Sequence, residues 1–133
     1  MTPTTAMKHR KRILIVDDSE IIQDVLREFL GQEYVVETMG ESVSTMAIVQ
    51  KKPDAILLDV RMPGVDGLTL LKSLRQMGVQ TPIFIMTGYD SKDFAIEALK
   101  RGANGYLPKP FDLVHLGQVL ADAVGRIPSE VAG

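Results

Sequence analysis

The chain has 133 residues, enough for one domain with a packed core, and its 45% hydrophobic and 24% charged content is ordinary for a globular protein. The absence of cysteine excludes disulfides, thiolate chemistry and zinc-cysteine centres. A net charge of −2 provides no global field for nucleic acid or a membrane surface, and no apolar run approaches the roughly 18–20 residues of a membrane helix. The apolar run after the basic N-terminus is too short for a signal-peptide core and leads straight into Asp17-Asp18, so the chain reads as cytoplasmic.

Residues 1–11 lack periodicity and read as a disordered basic tail, with Lys8, Arg10 and Lys11 crowded next to Arg12. A nucleic-acid arm would want a second basic patch or interleaved aromatics, and neither is present. Residues 12–16 form a β-branched run expected as a buried strand. Ser19 is placed to cap a helix carrying Ile21, Ile22, Val25, Leu26, Phe29 and Leu30, with Gly31 at its C-cap. A second strand is expected over 34–37, then a helix carrying Val43, Met46, Ala47 and Val49 that ends before Pro53. Residues 55–58 read as a third strand, and Leu68, Leu71, Leu74 and Met77 as a helix stripe stopped by Gly78. A fourth strand is expected over 82–86. Asp90 or Ser91 would cap a helix carrying Ala95, Ala98 and Leu99, ended at Gly102. Tyr106-Leu107 reads as a fifth strand, at an edge because Pro108 follows. Leu113, Leu116, Val119, Leu120, Ala123, Val124 and Ile127 form the last helix, stopped by Pro128. Strict β-α alternation predicts an α/β fold, a doubly wound parallel sheet with five strands and five helices, over 12–127, with 128–133 as a C-terminal tail.

In such a sheet the carboxyl ends of the strands share one edge, where ligands bind. Asp17-Asp18, Asp59, Thr87 and Lys109 each stand at or just past an apolar run, so three carboxylates, a hydroxyl and an ammonium are expected to meet there. This set suits an aspartyl-phosphate site assisted by a divalent metal. Asp59 is the candidate nucleophile, since a carboxylate attacks a phosphoryl group to give an acyl phosphate. Adjacent Asp17 and Asp18 repel one another and want a cation, and magnesium prefers oxygen ligands; either could instead cap the first helix. Lys109 offers a positive charge to phosphoryl oxygens and Thr87 a hydroxyl donor. The three carboxylates, a divalent cation and the lysine sum to zero before an incoming group adds about −1.5 to −2.

The residues Ile13-Leu14-Ile15-Val16-Asp17-Asp18-Ser19, Leu57-Leu58-Asp59, Met62-Pro63-Gly64-Val65-Asp66-Gly67, Met86-Thr87-Gly88 and Tyr106-Leu107-Pro108-Lys109-Pro110-Phe111, in this order, resemble the receiver domain of bacterial two-component response regulators. Each piece alone is common; the ordered set at strand ends is specific. The resemblance covers 12–126 and implies a flavodoxin-like sheet of order 2-1-3-4-5. It implies phosphorylation of Asp59 by a histidine kinase or phosphotransfer protein with Mg2+, for which Mn2+ can substitute. The metal would be held by Asp18, Asp59 and the backbone carbonyl of Arg61, with Asp17 acting through water. It implies a cis bond between Lys109 and Pro110, and a switch pair of Thr87 and Tyr106. It also places Arg61 and Tyr89 beside the phosphoryl group, where two large side chains would lengthen the life of the phosphoform. The face of the fourth helix, fifth strand and fifth helix, with Phe94, Lys100, Arg101, Asn104 and His115, would meet a downstream protein or output domain. No acidic partner at Asn104-Gly105 favours a salt-bridged dimer there.

Such a domain assists its own phosphorylation and dephosphorylation and is not a turnover enzyme. One alternative is a pseudo-receiver or constitutive interaction module. A hydrolase similar to the haloacid dehalogenases is disfavoured, because that family has a second aspartate two residues past the nucleophile and this chain has Arg61. A dinucleotide fold lacks its Gly-x-Gly-x-x-Gly turn. The residues after Arg126 are too few for an output domain, so the sequence reads either as a protein acting through a partner or as a piece of a longer regulator.

Overall fold

Ile13, Leu14, Ile15 and Val16 are all buried, which suits a strand covered on both faces, and they form most of β1 (Arg12–Val16). The computed structural model describes residues 10–88 and 92–125. The sheet is parallel with order β2-β1-β3-β4-β5, the flavodoxin-like topology expected from the sequence. Helices pack on both faces. Ile13, Ile15 and Leu57 meet Leu26 and Leu30 of α1 (Glu20–Leu30) and Leu116 and Leu120 of α5 (Leu113–Val124). Leu14, Val16, Ile56 and Leu58 meet Ile48 of α2 (Thr45–Lys51), Leu71 and Leu74 of α3 (Gly67–Gln76) and Ala98 of α4 (Lys92–Lys100). The period-two alternation of each strand thus divides one apolar run between two cores.

Caps fix the helix starts. Ser19 Oγ accepts from Ile22 N, Ser44 Oγ from Ala47 N and Asp112 Oδ1 from His115 N. Asp66 Oδ1 accepts from Leu68 N and Thr69 N, and Oδ2 from the Thr69 hydroxyl. Gly31 closes α1 in a right-handed conformation, and Gly78 stands in the left-handed region at φ 87 just past α3. The expected caps of α4, Asp90 and Ser91, lie outside the described residues, as do Ile127 and Pro128; α5 ends at Val124 with Gly125 as its cap.

Several expected boundaries move. β2 is Val35–Met39, because pairing with β1 carries Thr38 and Met39 into the ladder opposite Ile15 and Val16, while Tyr34 packs into the core. β3 is Ala55–Asp59, so Asp59 is the last residue of the strand. β4 is Ile83–Gly88 and contains Thr87, extended by pairing with β5 (Gly105–Lys109), which is an edge strand that accommodates Pro108. On α2 the buried residue is Ile48, whereas Met46 and Val49 face outward. Met77 caps α3 and is exposed, and Leu99 lies on the outer side of α4. No helix among the described residues is long and apolar enough to cross a membrane.

Candidate functional site

Asp17 follows β1, Asp59 ends β3, Thr87 lies near the end of β4 and Lys109 ends β5, so the topology gathers all four at the carboxyl edge. Asp17 and Asp59 are 0% and 7% exposed, and Thr87 is buried at 3%. Lys109 Nζ donates to Asp17 Oδ2 at 2.9 Å and to Asp59 Oδ2 at 3.2 Å. The Lys109–Pro110 bond is cis, as the resemblance implied.

The remaining oxygens are held locally. Asp17 Oδ1 accepts from Ser19 N at 2.9 Å, and Asp59 Oδ1 accepts from Arg61 N at 2.9 Å. Asp17 N donates to Met39 O, continuing the β1–β2 ladder, and Gln23 Nε2 donates to Asp17 O at 2.6 Å. Ser19 therefore caps α1 while Asp17 turns inward. Val60 and Met62, both buried, pin the loop after Asp59 to the core. Gly67 is required there, since a Cβ would stand 2.5 Å from Val60 Cα.

Asp17, Asp18 and Asp59 each offer a carboxylate oxygen within 4.8 Å of the others, with Asp18 exposed at the rim. One lysine against three carboxylates leaves two negative charges, which a divalent cation balances. The oxygen-only donor set suits a hard ion such as Mg2+. Glu20 and Glu41 line a groove beside Asp18 and add to the negative potential at the mouth. Burial pushes the Lys109 ammonium toward deprotonation, but the hydrogen bond to Asp17 and the charges of Asp59 and Asp17 outweigh it; its pKa is raised and it stays charged.

The residues singled out from sequence fall into three groups. Asp17, Asp18, Asp59, Thr87 and Lys109 converge. Tyr106 is 44% exposed on β5, where it pairs with Ile85, two register positions before Thr87, and Arg61 lies exposed at the mouth with its guanidinium over the Phe94 ring. Tyr89 lies outside the described residues. Asn104, expected on a partner face, is exposed, and its Oδ1 also accepts from Ile83 N and from Arg75. Gln23 and the Phe94 stack were not legible in the sequence, because one is an ordinary helix polar residue and the other a partly exposed aromatic.

A doubly wound parallel sheet carrying this carboxylate-lysine cluster at its carboxyl edge defines a signalling-type α/β domain rather than a dinucleotide or disulfide scaffold. A family model described as the response regulator receiver domain matches residues 13–121, and the chain belongs to that family. It is 41% identical over 103 residues to the DNA-binding transcriptional regulator NtrC of Escherichia coli (strain K12), covering 76% of this chain and 22% of that one. It is 40% identical over 107 residues to the response regulator MprA of Mycobacterium sp. (strain KMS), covering 79% and 46%. The chain thus spans less than half the length of these curated relatives. Among solved structures it resembles the chemotaxis protein CheY4 of Vibrio cholerae, at TM-score 0.77 and 30% identity over 86% of this chain and 98% of that one. The receiver domain of NtrX from Brucella abortus matches at TM-score 0.77 and 28% identity, covering 84% and 97%. Membership makes the chain a receiver domain of the response-regulator type, a class of domain that generally signals rather than turns over a substrate.

Proposed function

We propose that Asp59 receives a phosphoryl group from a histidine kinase or phosphotransfer protein, and that the modified domain then engages a downstream protein or output domain. The observation that supports this most directly is the carboxylate of Asp59 at the end of the central strand, tied by Lys109 to buried Asp17. In the transfer a carboxylate oxygen of Asp59 bonds to phosphorus, and the bond from phosphorus to the donor nitrogen breaks with its electron pair returning to the imidazole. Lys109 and Thr87 then donate to the phosphoryl oxygens, since positioning and charge stabilisation are most of what phosphoryl transfer needs. A divalent cation (Mg2+, or Mn2+ in its place) would be held by Asp18, Asp59 and the Arg61 carbonyl, with Asp17 acting through water, and would neutralise the charge that develops on the transferred group.

Movement of the Thr87 hydroxyl toward the phosphoryl group would vacate space for the half-exposed Tyr106 ring, a local charge event biasing a two-state element. On α4 and β5, Phe94, Leu99 and Tyr106 are exposed, apolar area suited to a partner. Arg61 and Tyr89 would flank the phosphoryl group and set its lifetime. The unit spans 12–127 and works in the cytoplasm.

Intact mass after treatment with acetyl phosphate tests the reading. One added phosphoryl group, only with Mg2+ and absent in Asp59→Asn, is the expected result; an adduct that persists in Asp59→Asn would overturn it. A constitutive binding module is the second reading, favoured if a histidine-kinase transfer assay also leaves Asp59 unmodified.

A further inference from the structure

Gln23 Nε2 donates to Asp17 O at 2.6 Å, a bond from α1 back to the residue that ends the first strand run. The position of each partner has a cause. Ser19 caps α1 and Gln23 N donates to Ser19 O at 3.0 Å, so Gln23 stands one turn past the cap. Side chains of a helix lean toward its N-terminus, and the Gln23 amide therefore reaches back over that turn to the Asp17 carbonyl. A carbonyl oxygen only accepts, which fixes the NH2 end of the amide as the group that faces it.

The other polar atoms of Asp17 are engaged as well. Its N donates to Met39 O at 3.0 Å, Oδ1 accepts from Ser19 N at 2.9 Å, and Oδ2 accepts from Lys109 Nζ at 2.9 Å. The peptide that joins Asp17 to Asp18 is thus held on its Asp17 side by β2, α1 and β5. Asp18 is exposed at the rim, where few neighbours constrain a side chain, so the direction of its carboxylate follows that peptide. Gln23 lines the same groove as Asp18, Glu20 and Glu41. A neutral amide adds no charge to those three carboxylates; what it contributes is a donor.

We infer that Gln23 is a positioning residue: through the Asp17 carbonyl it aims the Asp18 carboxylate at the cluster with Asp59, and so sets the affinity of the site for Mg2+ relative to a larger divalent cation. The inference rests on the reading that Asp18 and Asp59 hold the cation. Mg2+ demands near-ideal octahedral geometry at short distances, whereas Ca2+ accepts more oxygens in looser arrangements. A fixed peptide plane therefore matters to the smaller ion and little to the larger one. Without the Gln23 donor the Asp17–Asp18 peptide gains freedom that must be lost again when Mg2+ binds.

The test measures binding of MgCl2 and CaCl2 to the full chain by 1H–15N NMR titration, in wild type, Gln23→Met, Gln23→Glu, Asp18→Asn and Asp18→Asn/Gln23→Met. Methionine nearly matches glutamine in length and lacks the donor. Gln23→Met should weaken Mg2+ binding about five- to tenfold and Ca2+ binding less than about twofold, the scale of one hydrogen bond that orients a metal ligand. Gln23→Glu keeps the shape, loses the amide donor and adds a carboxylate to the groove. It should bind both ions more tightly than Gln23→Met, yet show the same fall in Mg2+ affinity relative to Ca2+. In the Asp18→Asn background Gln23→Met should leave that ratio unchanged. An unchanged ratio in both Gln23 variants, equal weakening for the two ions in Gln23→Met, or a fall that persists without Asp18 overturns the inference. Each of those results leaves the metal reading standing, because wild type still binds Mg2+. Absence of Mg2+-dependent shifts at Asp17, Asp18 and Asp59 in wild type removes the metal reading and this inference with it.

Discussion

Lys109 Nζ donates to Asp17 Oδ2 at 2.9 Å, joining residues 92 positions apart in the chain. The pair gives a carboxylate with no solvent exposure a cationic hydrogen-bond partner, as a buried polar group needs. Lys109→Ala should therefore lower the stability of the metal-free protein by about 1–3 kcal/mol in urea unfolding, the cost of orphaning a buried polar group. Added Mg2+ should recover part of that loss, since a cation compensates the same oxygens. Equal losses with and without Mg2+ would show that Lys109 and the metal do not share them.

Asp18→Asn should have the opposite sign in the absence of metal. Three carboxylates whose oxygens lie within 4.8 Å repel one another, and among the described residues one lysine, Lys109, pairs with two of them. Removing the exposed charge should stabilise the apo-protein by about 1 kcal/mol, the scale of one like-charge pair at this separation near a solvated edge. The variant should also lose most of the rise in Tm that Mg2+ gives wild type. A destabilised apo-variant would mean that Asp18 has a structural role.

Gly67 separates two demands on the same loop. A methyl group there would fall 2.5 Å from Val60 Cα, one residue after Asp59, so α3 must retreat or the acceptor loop must shift. Gly67→Ala should cost about 1–3 kcal/mol, as overpacking in a tight site does. It should also slow phosphorylation by acetyl phosphate more than Gly117→Ala, whose Cβ would make only ordinary 3.7 Å contacts with the Phe29 ring, away from the acceptor.

Arg75 holds the end of the sheet remote from the acceptor. Its guanidinium donates to Gly102 O, Val79 O, Thr81 O and Asn104 Oδ1, fastening α3 to the segments before β4 and β5. Partial burial lowers its pKa from the ordinary arginine value without discharging it at neutral pH. Arg75→Ala should destabilise by about 2–4 kcal/mol, since several charge-assisted hydrogen bonds are lost and the carbonyls are left to water. Arg75→Lys should recover less than half, because one ammonium cannot reproduce a planar fork. Chemical denaturation of both variants decides it.

Glu37 gives the pH dependence a sign. The hydrogen bond from Lys51 lowers its pKa below the ordinary 4.5; partial burial opposes this, and Arg12 adds to the lowering. A carboxyl whose folded pKa is depressed stabilises above its unfolded pKa and loses that contribution as pH falls through the folded one. Wild type should exceed Glu37→Gln by a constant margin, below about 1 kcal/mol for so exposed a pair, at all pH values above about 5. The margin should shrink below pH 4.5 and vanish at lower pH. A margin independent of pH would remove the ion pair as its cause.

Much of this molecule is written locally. Four apolar runs and their following polar residues placed Asp17, Asp18, Asp59, Thr87 and Lys109 at strand ends, because a fully buried parallel strand must be apolar until it reaches the edge where a ligand binds. Ser19 was equally local as the cap of α1. The boundaries of β2 and β4 were not, since Thr38 and Gly88 join their strands through the ladder of a neighbour rather than by composition. The core side of α2 was not local either: Ile48, not Met46, is buried, and a seven-residue helix carries too few turns to reveal its period.

The sequence by itself determined the strand-helix order, the family and the residue types of the acceptor cluster, because each is set by hydrophobic period and by side-chain chemistry within a few positions. Only the tertiary structure decided that Lys109 spans Asp17 and Asp59, that Asn104 Oδ1 joins Ile83 N and Arg75, and that Arg61 rests on Phe94. Those contacts join residues 21 to 92 positions apart in the cases of Asn104 with Ile83 and Lys109 with Asp17. Distances between such residues depend on strand order, crossover and helix packing together, and no local pattern in the chain encodes them.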